Sequence, residues 1–337
     1  MLISSCCFLD EELKSEVENE FTHSDQICDV CGIRGNLIKI DHFAEFFVCI
    51  VGLFKKDSSS QSTLIDIVQS KWHFFSNKLY GEVILSTIIS EYGLSISVHD
   101  KVSFIDDIQY VIDIWKNIKN ILTSKYRYFV DSDEIDKLDL ITFDSSSYRI
   151  LHKGDVLFRA RITEEGKAKM TPKEMKCPPR NKSCAGRANP VGIPYLYLCQ
   201  SIKTTFYEVH AGYLDNISVG RFRMIRDLNI IDFDFQLSPF PVFVDGGKDE
   251  LLKQISKCEF LQEIRSDLSK PLTRYDTELE YVPTQWICEY CKINGADGIS
   301  FTSSLDKTGV NYVLFDQNDA KCTKVTAHTI KKIDINE

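Results

Sequence analysis

Near residue 150 the apolar pattern of the chain changes its period, and no single regular architecture satisfies both halves. Before that point, residues 106–122 place Ile108, Val111, Ile112, Trp115, Ile118, Ile121 and Leu122 at the 3.6-residue spacing of a helix buried along one face. Asp106 and Asp107 stand where the positive end of the helix dipole favours carboxylates. Residues 63–75 and 81–92 read as helices of the same kind, and the polar run 57–62 is a loop that ends near an N-cap. After residue 150 the apolar residues gather into short runs rich in Val, Ile, Phe and Tyr, most bounded by Gly, Asp or Asn. Strands are therefore expected at 155–162, 194–199, 217–224, 228–233, 297–301 and 311–315. Helices are expected among them at about 202–211, 248–267 and 283–294. The reading is α+β: a mostly helical domain over 1–140, a joint at 139–147, and a mixed domain over 150–330.

Charge divides the chain at the same place. The net charge is −9 over 337 residues, about two average domains. Residues 1–140 hold 13 Lys/Arg against 23 Asp/Glu, whereas 141–337 hold 27 against 26. Within 149–187, eleven basic residues face four acidic ones. An acidic first half argues against a protein that wraps nucleic acid. The longest apolar runs, 46–54 and 190–199, fall well short of the roughly 18–20 residues of a membrane span. With no basic, apolar leader at the start, the expectation is a soluble, cytoplasmic protein without a membrane partner.

The twelve cysteines are accordingly read as reduced. Cys28-Asp29-Val30-Cys31-Gly32 has the form of half a zinc knuckle, in which glycine eases the turn that aims both thiolates at one metal. A second pair is needed, and the local candidates are the adjacent Cys6 and Cys7, a poor chelating spacing. The other pair, Cys288 and Cys291, shares a helix face with Ile287 and reads as packing. No GxGxxG follows a strand, and Gly246-Gly247-Lys248 lacks the rest of a P-loop.

Several polar residues of the second half have no obvious structural duty. Alternation along Val156-Leu157-Phe158-Arg159-Ala160-Arg161-Ile162 puts Arg159 and Arg161 on one strand face. Arg187 lies in a loop turned by Gly186, Pro190 and Gly192, a setting that suits bidentate recognition of an anion such as a pyrophosphate. A surface turn with a solvated arginine is the alternative. Glu208 interrupts a mainly apolar helix, and Ser303 and Ser304 follow a strand whose end can deliver side chains into a cleft. His210, Tyr195 and Trp286 read as structural.

Taken in order, five segments resemble the RES domain family: Phe158-Arg159-Ala160-Arg161; Gly186-Arg187-Ala188-Asn189-Pro190-Val191-Gly192-Ile193-Pro194-Tyr195-Leu196-Tyr197; Thr205-Phe206-Tyr207-Glu208-Val209; Tyr281-Val282-Pro283-Thr284-Gln285; and Asp297-Gly298-Ile299-Ser300-Phe301-Thr302-Ser303-Ser304 with Gly309-Val310-Asn311-Tyr312. The resemblance implies an ADP-ribosyltransferase-like fold. It also implies a toxin that consumes NAD⁺ by phosphorolysis or hydrolysis of the nicotinamide–ribose bond and is neutralised by an antitoxin. It assigns Arg159, Glu208, Ser303 and Tyr197 to catalysis and Arg187, Arg161 and Asn189 to substrate binding, with NAD⁺ and inorganic phosphate as small-molecule partners. ADP-ribosyl transfer to a macromolecule, or an inactive nucleotide-sensing pocket, are the competing readings.

The first 140 residues are similar to the helical, HEPN-type domain that precedes some RES proteins. That similarity implies a domain that senses, restrains or forms a homo-oligomer. It also implies a cysteine cluster of Cys7, Cys28 and Cys31 holding structural zinc, with Cys6 substituting where Ser4 replaces the family's first cysteine. Seven residues separate Arg34 from His42, which does not fit the ribonuclease spacing of HEPN proteins, so RNase activity is not expected.

Overall fold

The computed structural model describes the chain apart from residues 131–132, 134, 136–147, 164–165, 271–277, 307 and 332–337; the expected joint at 139–147 lies outside the described residues. The chain forms two compact units, Met1–Ile112 with Gln236–Glu259, and Asp113–Phe235 with Phe260–Glu337.

In the first unit, helices α1 (Glu11–Glu20), α2 (Ala44–Val51), α3 (Leu64–Trp72) and α4 (Lys78–Glu91) are joined by the start of α5 (Asp106–Ser124). Their ends are set by local side chains. Thr63 and Asp66 cap α3 reciprocally, and Asn77 accepts from the Tyr80 amide to start α4. The unit is not helical throughout. Strands β1 (Leu2–Ser4), β2 (His23–Ile27) and β3 (Arg34–Lys39) form an antiparallel sheet in the order β1-β3-β2, and β4 (Phe54–Lys56) pairs with β5 (Val102–Phe104). These strands are short and mostly exposed on one side, so they carry too little apolar alternation to be read from sequence. The core is built on phenylalanine: Phe8, Phe43, Phe46, Phe47, Phe74 and Phe75 are fully or almost fully buried, with ring centroids 5–6.5 Å apart in edge and stacked pairs.

The second unit is organised by one eight-stranded sheet. Strands β6 (Tyr148–Leu151), β7 (Val156–Ile162), β8 (Leu196–Cys199), β9 (Asn216–Met224), β10 (Leu228–Asp232), β11 (Gly298–Thr302), β12 (Val310–Leu314) and β13 (Ala320–Thr329) run in the order β13-β9-β7-β8-β12-β11-β10-β6. Only β10 and β11 pair parallel; the other neighbours are antiparallel. With its helices this is the α+β class expected. The join between β7 and β8 is unusual. They share one register pair, Phe158 with Cys199, whereas β7 and β9 share seven. The sheet therefore opens at β7 and β8, and their side chains reach a cleft.

Helix α6 (Ile202–Glu208) follows β8 directly, started by Ser201, whose hydroxyl accepts from the Thr204 amide. Ile202, Phe206 and Val209 lie at helical spacing and pack on Ala160, Ile217 and Val219 of β7 and β9. On the sheet's larger apolar cluster, Leu157, Leu196, Leu198, Phe222, Ile230 and Leu314 are buried. Helix α7 (Pro239–Ser269) is broken at Gly247, whose φ of 68° belongs to the left-handed region, and helix α8 (Val282–Ile293) follows with Pro283 in its first turn. Cys288 and Cys291 are fully buried on α8 beside Ile287. Among the described residues no helix is long and apolar enough to cross a membrane.

Candidate active site

The cleft at the opening of the sheet, about 440 Å³, is lined by Arg159 and Ala160 of β7, by Tyr197, Leu198 and Cys199 of β8, and by Arg187, Glu208, His210, Tyr281 and Asn311. Glu208 is brought here by the length of α6. The helix ends on it, so its side chain leaves from the last turn instead of packing with Ile202 and Phe206. A carboxylate at the negative end of a helix is disfavoured by the dipole. The protein compensates with two donors to one oxygen: Ser303 Oγ at 2.6 Å and Asn311 Nδ2 at 2.8 Å both donate to Glu208 Oε1. Asn311 is held in turn by the Cys199 thiol, which donates to its Oδ1 at 3.2 Å. Burial, and Glu208 nearby, push that thiol up to about 12, so it remains an S–H donor at neutral pH.

The two guanidinium groups are presented differently. Arg159 Nη1 is buried and, among the described residues, has no hydrogen-bond partner. Burial, with Arg161 on the same face of β7, holds the Arg159 guanidinium below the usual arginine range. A buried, underused donor beside a like charge suits an anion. Arg187 is anchored by Nη1, which donates to the Leu268 carbonyl at 2.8 Å, and burial lowers its pKa as well. Its loop is tied to α8, where Thr284 Oγ1 donates to the Arg187 carbonyl at 2.7 Å and Gln285 Nε2 donates to the Gly186 and Asn189 carbonyls.

The remaining sequence-predicted residues take supporting positions. The Tyr197 hydroxyl donates to Asn189 Oδ1 at 2.8 Å and accepts from the Ala188 amide at 3.1 Å, so only its ring is free to meet a ligand. Asn189 is buried, bonds also to the Cys184 and Pro190 carbonyls, and faces a second depression of about 600 Å³ instead of the cleft. Arg161 lines that same depression, where its Nη2 donates to the Lys176 carbonyl at 2.8 Å. Arg159 and Tyr197 border both spaces. Ser303 is 3% exposed and stands behind Glu208, while Ser304 lines the cleft. Tyr195 is core, packed against Phe315, and Trp286 is half-buried and stacked on Tyr290.

Two residues escape the sequence reading. Asn311 belongs to a resembling segment that gives it no role, and nothing local marks a side chain whose partner lies 103 positions away. His210 reads as structural only if the helix runs to 211. In fact the helix stops at Glu208, His210 adopts φ 50°, and its exposed ring lines the cleft.

In the first unit, Cys7, Cys28 and Cys31 bring their sulfur atoms within 4.8 Å of one another, a group able to hold a metal ion. Cys6 is outside it. The 3₁₀ turn Ser5–Cys7 sends Cys7 inward and leaves Cys6 exposed, which removes it as a ligand.

The family model described as the RES domain matches residues 156–335, more than half of the chain and the whole cleft-forming sheet except β6. The chain belongs to the RES domain family. No curated protein matches it. Among solved structures the RES chain is similar to one in the crystal structure of the M. tuberculosis MbcT–MbcA toxin–antitoxin complex. The match has 12% sequence identity, covers 53% of this chain and 87% of that one, and has a TM-score of 0.29.

Proposed function

We propose that this RES protein degrades NAD⁺ by cleaving the nicotinamide–ribose bond, and that it acts as a toxin or defence effector restrained by a partner protein. The observation that carries the reading is a carboxylate, Glu208, fixed through one oxygen by Ser303 and Asn311 in a cleft that also holds the underused Arg159 and the anchored Arg187. A dinucleotide whose ribose carries a pyridinium that leaves as neutral nicotinamide needs both. Arg159 and Arg187 bind the pyrophosphate oxygens. The Tyr197 ring meets the nicotinamide, and Glu208 Oε2 faces the nicotinamide ribose.

In the reaction the C1′–N bond breaks and its electron pair leaves with neutral nicotinamide. Positive charge then spreads over C1′ and the ring oxygen. Negative charge preorganised beside that cation lowers the barrier, because it is oriented before the charge develops. An oxygen of water or of phosphate adds to C1′. Water gives ADP-ribose and a released proton; phosphate gives the 1-phosphate of ADP-ribose. Arg161 and the depression behind Arg159 favour an anionic acceptor. Ser303 and Asn189 act by holding Glu208 and Tyr197. The first unit, with the helices that resemble a HEPN-type domain, is the part read as sensing or restraining.

Incubation with adenine-labelled NAD⁺, with and without phosphate, tests the acceptor. All label is expected in small molecules, with a phosphorylated product appearing when phosphate is present. Label retained on protein would replace this reading with ADP-ribosyl transfer.

A further inference from the structure

Ser303 is not alone in its loop in holding α6. Between β11 and β12 the backbone closes on itself: the Ser303 amide donates to the Gly309 carbonyl, and the Gly309 amide donates to the Asp306 carbonyl, both at 2.8 Å. The Leu305 amide donates to Ser303 Oγ at 3.2 Å. The Ser303 hydroxyl accepts that bond and has a single hydrogen to give, which it directs at Glu208.

Three residues further along the loop, Asp306 makes a second attachment. It is 8% exposed; its Oδ2 accepts from Thr204 Oγ1 at 2.8 Å, and its Oδ1 accepts from Thr308 Oγ1 at 3.1 Å. A carboxylate can take both bonds because it offers two acceptor oxygens. A turn closed within the loop would need only the Thr308 contact, whereas the bond to Thr204 spans 102 positions of sequence. Thr204 is fully buried in the first turn of α6, with Ser201 Oγ 2.8 Å from its hydroxyl. Glu208 follows four residues later, on the same helix face and one turn away. One loop therefore grips one helix at two points, Asp306 at Thr204 and Ser303 at Glu208. Gly309 leaves the space for this: a Cβ there would lie 2.5 Å from Thr204 Oγ1 and 2.9 Å from Asp306 Oδ2.

We propose that Asp306 and Thr204 are positioning residues for the cleavage of NAD⁺, their bond fixing the loop along α6 so that the Ser303 donor stays on the Glu208 carboxylate. Neither side chain lines the cleft, so neither touches substrate. Without their bond, the Ser303–Glu208 contact must itself hold the loop against the helix, and the carboxylate is less firmly oriented before charge develops on the ribose. Such a loss falls on kcat and leaves binding of NAD⁺ in place. The inference rests on the role proposed for Glu208.

Steady-state nicotinamide release and amide hydrogen exchange are measured on the full-length wild type and on Thr204→Val, Thr204→Ser and Gly309→Ala. Valine keeps the shape of threonine and removes the donor, whereas alanine at 309 removes no polar group and forces the pair apart. Both changes are expected to lower kcat by about tenfold or more, with KM for NAD⁺ within about twofold of the wild type. Both are expected to speed exchange of the Ser303, Leu305 and Gly309 amides by about tenfold, while exchange in β9 stays unchanged and shows that the variants fold. Thr204→Ser keeps the hydroxyl and is expected to recover kcat to within about threefold of the wild type. Wild-type kcat in Thr204→Val would overturn the inference, as would a serine variant no better than the valine one. If the wild type itself leaves NAD⁺ intact, the role of Glu208 fails. The clamp is then judged by exchange alone, and loop amides as slow in Thr204→Val as in the wild type would overturn it.

Discussion

Glu208 shows how much of the candidate site depends on the residues that hold its carboxylate. Its Oε1 takes hydrogen bonds from Ser303 and Asn311, and Asn311 is oriented by the protonated Cys199 thiol. Asn311→Leu removes one donor of the pair and is expected to lower kcat by about 10- to 100-fold with little change in KM, a split measured by steady-state nicotinamide release. Asn311→Asp keeps the size but sets a second carboxylate against Glu208. Two adjacent carboxylates resist joint ionisation, so the acid limb of the pH–rate profile is expected to move to higher pH. Arg159→Lys keeps the charge and loses the planar fork, and is expected to raise KM for NAD⁺ by about tenfold. Arg159 and Glu208 stand out in the sequence as charges in apolar runs, and Arg187 as a charge in a loop turned by glycine and proline, whereas Tyr197 enters only through the family resemblance. Asn311 does not stand out, because an amide at the start of a strand has many ordinary uses.

At the scale of elements, the site exists because two strands that are neighbours in the sheet barely pair. The single Phe158–Cys199 register pair leaves room for Arg159 and Tyr197, and the loop 186–189 closes one wall. Gly186 is necessary to that wall. A Cβ there would lie 2.6 Å from Asn189 Oδ1 and 2.7 Å from the Tyr197 hydroxyl, the two atoms that bond each other. Gly186→Ala is therefore expected to break that bond and cost about 1–3 kcal/mol, measured by denaturant unfolding, with a larger loss of activity than of stability. Six strands of the second unit are readable from their apolar runs. β6 and β13 escape that reading for a physical reason: both lie at sheet edges, and the Lys- and Thr-rich β13 alternates burial without an apolar run. The end of α6 is hard to read because Val209 continues the apolar face one residue beyond the helix.

For the whole molecule, the strands of the large sheet begin at Tyr148, near the change of hydrophobic period, but the first unit's opening stretch ends at Ile112 and the units are not two consecutive stretches of sequence. Residues 236–259 belong to the first unit, where Phe240 packs edge-on against Phe43 and Phe46 at 5.6 and 5.2 Å. No local pattern announces that a helix of one half completes the core of the other, since an apolar helix face does not identify its partner. Phe240→Ala is expected to destabilise the first unit by about 3–5 kcal/mol in thermal or denaturant unfolding. The proposed function rests on Glu208 promoting cleavage of the nicotinamide–ribose bond. The most direct measurement is the time course of nicotinamide release from NAD⁺ by the purified chain and by its Glu208→Gln variant, with matching circular dichroism. The account predicts turnover by the wild type and a loss of about 100-fold or more in the variant. NAD⁺ left intact by both proteins, or equal release by both, would contradict it.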